Sequence, residues 1–304
     1  MPNSLLSASD TLRDRLRTNA ALATPFTASG EIDWVRLSEH ALDLLSDGLG
    51  SVTLFGTTGE GPSIAWQESR EAIERFAERG IAPERTVQAV FQCAAADAAA
   101  AGQHVLESGG AALLLAPPFY FTDIQDDALF RWFATVFEGM GGAARDVIIY
   151  NIPGLTRVTI TPALVGRLRS EFPQVIAGVK DSSGNLPATK RLLAEHKDLI
   201  ILVGHEGHLA EAAGLGASGA ISGIANIAPK LVMSLARGHA EARVDPLIDA
   251  ILAISVVPAI KTLIGRHRRD PAWNNVRPPL HALDGAAAAR VVAAFDTALG
   301  HIAA

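Results

Sequence analysis

The chain has 304 residues and a mass of 31.9 kDa, and its 49% hydrophobic content, 19% charged content and mean hydropathy of +0.23 exclude disordered, collagen-like and low-complexity classes. Its 32 acidic and 26 basic residues give a net charge of −6 with no basic block, so neither a nucleic acid nor an anionic bilayer is an expected partner. The single cysteine, Cys93, excludes an internal disulfide and a thiolate metal cage; with apolar neighbours in a reducing compartment it is expected to be a buried small hydrophobe.

At the N-terminus, Met1 to Asn19 interleaves Asp10, Arg13, Asp14, Arg15 and Arg17 with leucines, and it lacks the apolar core of a secretory signal. Short apolar runs then recur at Ala20 to Pro25, Ser51 to Phe55, Thr86 to Phe91, Ala111 to Ala116, Val147 to Asn151, Val175 to Lys180, Leu199 to Val203 and Gly219 to Ser222. Their uniform apolarity, without alternation, predicts parallel strands covered on both faces. Helical spacing lies between them. Trp34, Leu37, Ala41, Leu44 and Leu45 form one stripe, Leu164, Val165 and Leu168 follow Thr161-Pro162 as N-cap and first helical residue, and Asn226 and Pro229 signal another start before Leu231. Eight strand-then-helix units in about 210 residues predict a (β/α)8 TIM barrel of the α/β class. A doubly wound sheet would want a glycine-rich phosphate loop after its first strand, and Thr24-Pro25-Phe26-Thr27 is not one.

After Ser222 the strand signals stop. Helices are expected at Leu231 to Ala240, Pro246 to Ile264 and Gly285 to Ile302, which gives a barrel with a short N-terminal arm over 1–228 and a C-terminal helical extension over 229–304. The longest apolar stretch, Ile251 to Ile260, is interrupted by Ser255 and Pro258 and falls short of the roughly 20 residues that span a bilayer. A cytoplasmic protein is expected.

In such a barrel the reactive residues sit at the C-terminal ends of the strands. The second run ends in Phe55-Gly56-Thr57-Thr58-Gly59-Glu60-Gly61, whose glycines and hydroxyls suit a carboxylate, although a plain glycine turn explains the glycines too. The fifth ends in Tyr150-Asn151-Ile152-Pro153, where the tyrosine reads as an amphipathic core residue or as a proton-transfer phenol. The sixth ends in Gly178-Val179-Lys180-Asp181-Ser182-Ser183-Gly184. Of five lysines only Lys180 closes an apolar strand, since Lys190, Lys197, Lys230 and Lys261 fall in segments with helical spacing. Facing the barrel mouth, a desolvated amine is free to attack a carbonyl; the bland alternatives are a lysine that snorkels to solvent or pairs with Asp181. An amine that condenses with the ketone of a 2-oxo acid, hydroxyls that hold its carboxylate and a phenol that moves protons together describe a class I, Schiff-base lyase. The iminium is its own electron sink, so this chemistry calls for no cofactor and no metal. His205, Glu206 and His208 follow the seventh run, but His-Glu-Gly-His is not the zinc spacing His-Glu-x-x-His, and their expected role is to line the mouth and select the second substrate.

These segments, together with Thr24-Pro25-Phe26, resemble the dihydrodipicolinate synthase and N-acetylneuraminate lyase family over nearly the whole chain. The resemblance implies a barrel with a C-terminal helical region, assembled as a homotetramer of close dimers or as a homodimer. It implies Lys180 as Schiff-base former, Tyr150 as proton-transfer phenol, and Thr57 and Thr58 as ligands of the keto-acid carboxylate, with Thr57 linked to Tyr150. Tyr120, in Pro117-Pro118-Phe119-Tyr120, matches the tyrosine lent across the dimer interface to complete a proton relay, and Gly204 and Ile221 match backbone positions beside the keto acid. Two residues after Pro153, where synthase members generally carry an arginine for the aldehyde's carboxylate, this chain has Leu155; Arg157 follows two residues later. The polar pair that sialic-acid lyases use on the sugar chain falls on Glu206 and Gly207, and their serine on Gly223. The expected reactants are pyruvate or a related 2-oxo acid with a small aldehyde, or a keto-deoxy sugar acid in aldol cleavage or dehydration. Dihydrodipicolinate synthase proper, a metal-dependent aldolase using the His205 cluster and a non-catalytic keto-acid-binding barrel are the alternatives.

Overall fold

The computed structural model describes residues 11–299. Eight strands, β1 (Thr18–Ala21), β2 (Ser51–Leu54), β3 (Thr86–Val90), β4 (Ala112–Leu115), β5 (Val147–Asn151), β6 (Ile176–Asp181), β7 (Ile200–Val203) and β8 (Gly219–Ser222), form a closed barrel in sequence order. All eight pairings are parallel, including the β1–β8 seam. The unbroken apolarity of the runs resolves into two buried faces of period two. Val87, Ala112, Leu114, Ile148, Tyr150, Leu202 and Ile221 point into the barrel. Their neighbours Val52, Leu54, Leu113, Leu115, Ile149, Val179, Ile201 and Val203 point outward into a second layer with Leu37, Phe76, Val105, Phe133, Leu168 and Leu192 of the surrounding helices.

The first strand begins earlier than its apolar run. Thr18 and Asn19 are polar, yet they lie in β1, because the Asn19 amide donates to Ser51 Oγ (2.8 Å) and accepts from Thr53 Oγ1 (2.7 Å) across β1 and β2. Satisfied in this way, buried polar side chains are no obstacle to a strand. A short helix, Leu12–Leu16, is closed by a capping box between Thr11 and Asp14 and adds Leu16, fully buried, to the barrel interior.

The helices Trp34–Ser46 and Pro162–Glu171 start as their signals predict, the second capped by Thr161 Oγ1 accepting from Leu164 N. Asn226 is different. The helix it was expected to open runs over Pro229–Leu235 with Ala228 at the N-cap. Asn226 instead donates to the Ala21 and Gly223 carbonyls and accepts from Ala23 N, tying the end of β1 to the loop after β8. The stretch from Pro246 to Ile264 is also not one helix. It divides into Val244–Leu252 and Val256–Arg268, bent by 119°. An uninterrupted helix would hold Pro258 in its interior at a cost of about 3 kcal/mol; the break puts Pro258 in a first turn, where no N–H is required. The last helix spans Gly285–Leu299, and the expected continuation to Ile302 lies outside the described residues. Among the described residues no single helix is long and apolar enough to cross a membrane.

Candidate active site

Parallel pairing sets Tyr150 of β5 beside Lys180 of β6, and Asn151 beside Asp181. Because side chains alternate along a strand, the first pair faces the barrel interior and the second faces out. The inward pair is nearly inaccessible, Tyr150 at 1% and Lys180 at 3% exposure, and Lys180 Nζ sits 4.2 Å from the centre of the Tyr150 ring. Among the described residues no carboxylate lies within ion-pairing distance of that ammonium. Asp181, the partner the sequence offered it, turns the other way and accepts from Asn151 Nδ2 (2.9 Å), Ser183 N (3.1 Å) and Thr189 Oγ1 (2.6 Å). Asn151 Oδ1 in turn accepts from Ile160 N at 3.0 Å. The outward pair thus anchors both strand ends and the loop after Lys180. From the sequence Asn151 had no assigned role and Asp181 only that of a possible partner for Lys180; strand alternation is the signal that separates them from their neighbours.

The turn after β2 folds back on itself. Phe55 and Glu60 both adopt left-handed backbone (φ 54° and 58°), Glu60 N donates to the Thr57 carbonyl (3.1 Å) and Gly61 N to the Gly56 carbonyl (3.0 Å). A side chain at Gly61 would collide with the Phe55 carbonyl, and a Cβ at Gly59 would lie 2.6 Å from the Leu22 carbonyl, so these two glycines are required by close approach. Thr57 Oγ1 comes to 3.1 Å from Tyr150 Oη, a hydrogen bond that joins β2 to β5. Thr58 is buried at 6% exposure, and the backbone N–H groups of Thr57 and Thr58 have no acceptor among the described residues. Two free donors next to two hydroxyls form a concavity suited to a carboxylate. Lys180, Tyr150 and Thr57 are therefore together.

The remaining candidates are more dispersed. Gly204 N donates to the Asp181 carbonyl (2.8 Å), and a side chain there would strike Ser182 Oγ, so its absence lets the Lys180 loop pack closely. Ile221 is buried in the barrel interior with Tyr150. Glu206 is buried and accepts from Ser222 Oγ (2.5 Å) and Ile224 N (3.3 Å) through Oε1, which ties the start of the helix after β7 to the end of β8 and the loop beyond it. His205 and His208 stack with ring centres 4.1 Å apart, and His205 lies against Gly184 of the Lys180 loop. Burial, then the neighbouring His205, holds His208 below the ordinary imidazole range, against the pull of Asp245, Glu211 and Asp181. Leu155 is 65% and Tyr120 81% exposed; the Tyr120 ring meets Phe121 edge-on, in an exposed aromatic tip that includes Phe119.

Cys93 differs from expectation. It is half-buried and lines a cavity of about 710 Å³ with Phe55, Trp66, Phe91 and Phe119, while its carbonyl accepts from Trp132 Nε1. The cavity lies beside the Lys180 constellation rather than over it, with Phe91 edge-on to Tyr150 at 6.3 Å between them.

Comparison with known proteins gives concordant matches. The model of the dihydrodipicolinate synthetase family matches residues 15–297. An uncharacterized DapA-like lyase of Chloroflexus aurantiacus is 31% identical over 288 residues, covering 91% of this chain and 95% of its own. The 4-hydroxy-tetrahydrodipicolinate synthase of Agrobacterium fabrum is 30% identical, with 92% and 96% coverage. The crystal structure of dihydrodipicolinate synthase from Agrobacterium tumefaciens superposes with a TM-score of 0.90 at 44% identity, covering 92% and 98% of the two chains. A prophage protein of the dihydrodipicolinic acid synthase family from E. coli K12, crystallised in complex with pyruvate, gives 0.78 at 25% identity over 92% and 97%.

Proposed function

The chain belongs to the dihydrodipicolinate synthetase family and is a Schiff-base-forming lyase, and from that premise we propose that Lys180 carries the covalent chemistry on pyruvate or a closely related 2-oxo acid. The observation that carries this reading is the buried, carboxylate-free Lys180 Nζ, 4.2 Å from the ring of a tyrosine whose hydroxyl reaches Thr57. The neutral amine attacks the ketone carbon, the ketone oxygen takes up protons and leaves as water, and the carbon is held as an imine on Nζ. Loss of a proton from the adjacent methyl carbon gives an enamine. That carbon attacks an aldehyde carbonyl, whose oxygen is protonated, and water releases the product; cleavage is the same sequence reversed.

Each step moves a proton, and Tyr150 Oη with Thr57 Oγ1 at 3.1 Å provides the path. Thr57 and Thr58 hold the carboxylate with their hydroxyls and unengaged N–H groups, which fixes the ketone carbon against Nζ. Gly204 and Ile221 flank the bound acid through their backbone. Tyr120, exposed within a cluster that also exposes Phe121 at 72%, extends the relay into the site of a second copy of the chain, and contiguous exposed aromatics of this kind fit a subunit contact. We assign the C-terminal helices from residue 229 to the same functional unit as the barrel over 1–228.

The second reactant on this reading is a small aldehyde without a carboxylate, or the keto-deoxy sugar acid that releases one on cleavage. Leu155 supports it, because an exposed leucine at the mouth offers no charge to a semialdehyde's carboxylate. Pyruvate followed by borohydride tests the centre: a reduced adduct on the Lys180 peptide is expected, and an unmodified Lys180 in folded protein overturns the assignment. A panel of aldehydes with pyruvate, beside keto-deoxy acids, tests the second reactant, and efficient condensation with aspartate semialdehyde refutes the Leu155 argument.

A further inference from the structure

A second buried lysine lies near the carboxylate turn. Lys261, on the helix Val256–Arg268, is fully buried and its Nζ donates to Glu60 Oε1 at 2.6 Å; both side chains are at 0% exposure. The other oxygen, Oε2, accepts from the backbone N of Arg277 at 2.9 Å. The Arg277 guanidinium donates to the Gly30 carbonyl (2.8 Å), the Ser63 carbonyl (3.1 Å) and both oxygens of Glu68 (2.9 and 2.6 Å). Lys261 Nζ and Arg277 Cζ each lie 4.5 Å from the ring centre of Phe26.

Glu60 lies two residues after Thr58 and holds a left-handed backbone (φ 58°), a conformation unfavourable for a residue with a Cβ. Glycine would adopt it freely, as its neighbours Gly59 and Gly61 could. A glutamate is useful at this point only for its carboxylate. That carboxylate makes no contact with Lys180 or Tyr150, and Lys261 is inaccessible to any reactant. The pair belongs to neither the proton path nor the covalent chemistry.

We propose that Glu60, Lys261 and Arg277 are positioning residues through which the C-terminal helical region clamps the turn Gly56–Gly61, holding the Thr57 and Thr58 donors in the arrangement that grips the keto-acid carboxylate. The inference rests on the lyase reading above and adds to it a reason for the helical extension. The turn is held from both sides: Thr24 Oγ1 donates to the Gly59 carbonyl (2.7 Å) from the β1 side, and Lys261 and Arg277 hold Glu60 from the C-terminal side. Burial pulls the Lys261 ammonium below its ordinary value while Glu60 opposes that shift, and separating the two would leave a buried charge uncompensated.

The test compares wild type with Glu60→Gln and with the double variant Glu60→Gln/Lys261→Met, which leaves no unpaired buried charge if the single variant fails to fold. Two probes are reduced onto Lys180 with borohydride and read in the Lys180 peptide: pyruvate, which needs the carboxylate grip, and acetaldehyde, which does not. The expected result is a pyruvate half-saturation raised by about tenfold or more, with maximal labelling at saturating pyruvate and acetaldehyde labelling both within about twofold of wild type. A folded variant with unchanged pyruvate half-saturation overturns the proposal, and so does equal loss of labelling by both probes, which would mark general damage to the site. Wild type that labels with neither probe would instead refute the lyase reading.

Discussion

His40 makes the barrel seam sensitive to acid by an amount that can be worked out. Its ring is buried, with Nε2 3.1 Å from Asn226 Oδ1, Nδ1 accepting from Arg268 Nη2 at 2.8 Å and an edge-on contact with Trp273 at 4.9 Å. Desolvation, followed by the Arg268 charge, lowers its pKa from 6.5 to about 3. The unfolded chain therefore binds a proton that the folded chain refuses between those values, and stability falls as pH drops through that window, by about 1.4 kcal/mol per unit. Between pH 7 and 4.5 the loss from this one residue is about 2.5 kcal/mol. His40→Gln removes the titration while keeping an amide able to donate to Asn226. Urea unfolding of both proteins at pH 7, 5.5 and 4.5 isolates the effect, because all other groups titrate alike in the two. The variant should be the less stable at pH 7, with the gap closing or reversing by about 2.5 kcal/mol at pH 4.5. A gap that stays constant to within about 0.5 kcal/mol would show that His40 takes up its proton as readily in the folded chain as in the unfolded one, and the buried-neutral reading would fail.

Four further outcomes are expected. Tyr150→Phe keeps the buried ring against Lys180 but removes the hydroxyl bonded to Thr57, so kcat should fall by about 10²–10⁴ with little change in melting temperature; steady-state kinetics beside a thermal melt checks both. Asp181→Asn disturbs the bonds from Asn151, Ser183 and Thr189 and should destabilise by about 1–3 kcal/mol in denaturant titration. Leu155→Arg, at an exposed position, should raise kcat/KM for a carboxylated semialdehyde by about tenfold or more without affecting stability, the scale of one charge-assisted hydrogen bond. Lys180→Ala and Tyr120→Phe should each be impaired alone, whereas mixed and refolded subunits should regain activity, because a hybrid dimer contains one complete site; if mixing restores nothing, Tyr120 does not act across an interface.

Composition and periodicity along the chain specify the eight strands, their order and the parallel pairing, and they single out Lys180 as the candidate nucleophile. These are local properties: an apolar run too uniform to alternate, a helix start at Thr161-Pro162, one lysine at the end of such a run. Which neighbours share a face follows from closure of the barrel and its register. Strand register sends Lys180 inward beside Tyr150 and Asp181 outward to Asn151 and Thr189, although Lys180 and Asp181 are adjacent in the chain. The tertiary structure also decided pairings that have no local signature. Glu60 and Lys261 are 201 residues apart, Lys261 looks like any helical lysine, and Asn226 looks like a helix cap until closure of the barrel places it against β1. Burial patterns are written along the chain because each residue carries its own hydrophobicity, whereas a buried charge or amide has a meaning only once the fold has set its partner within about 3 Å.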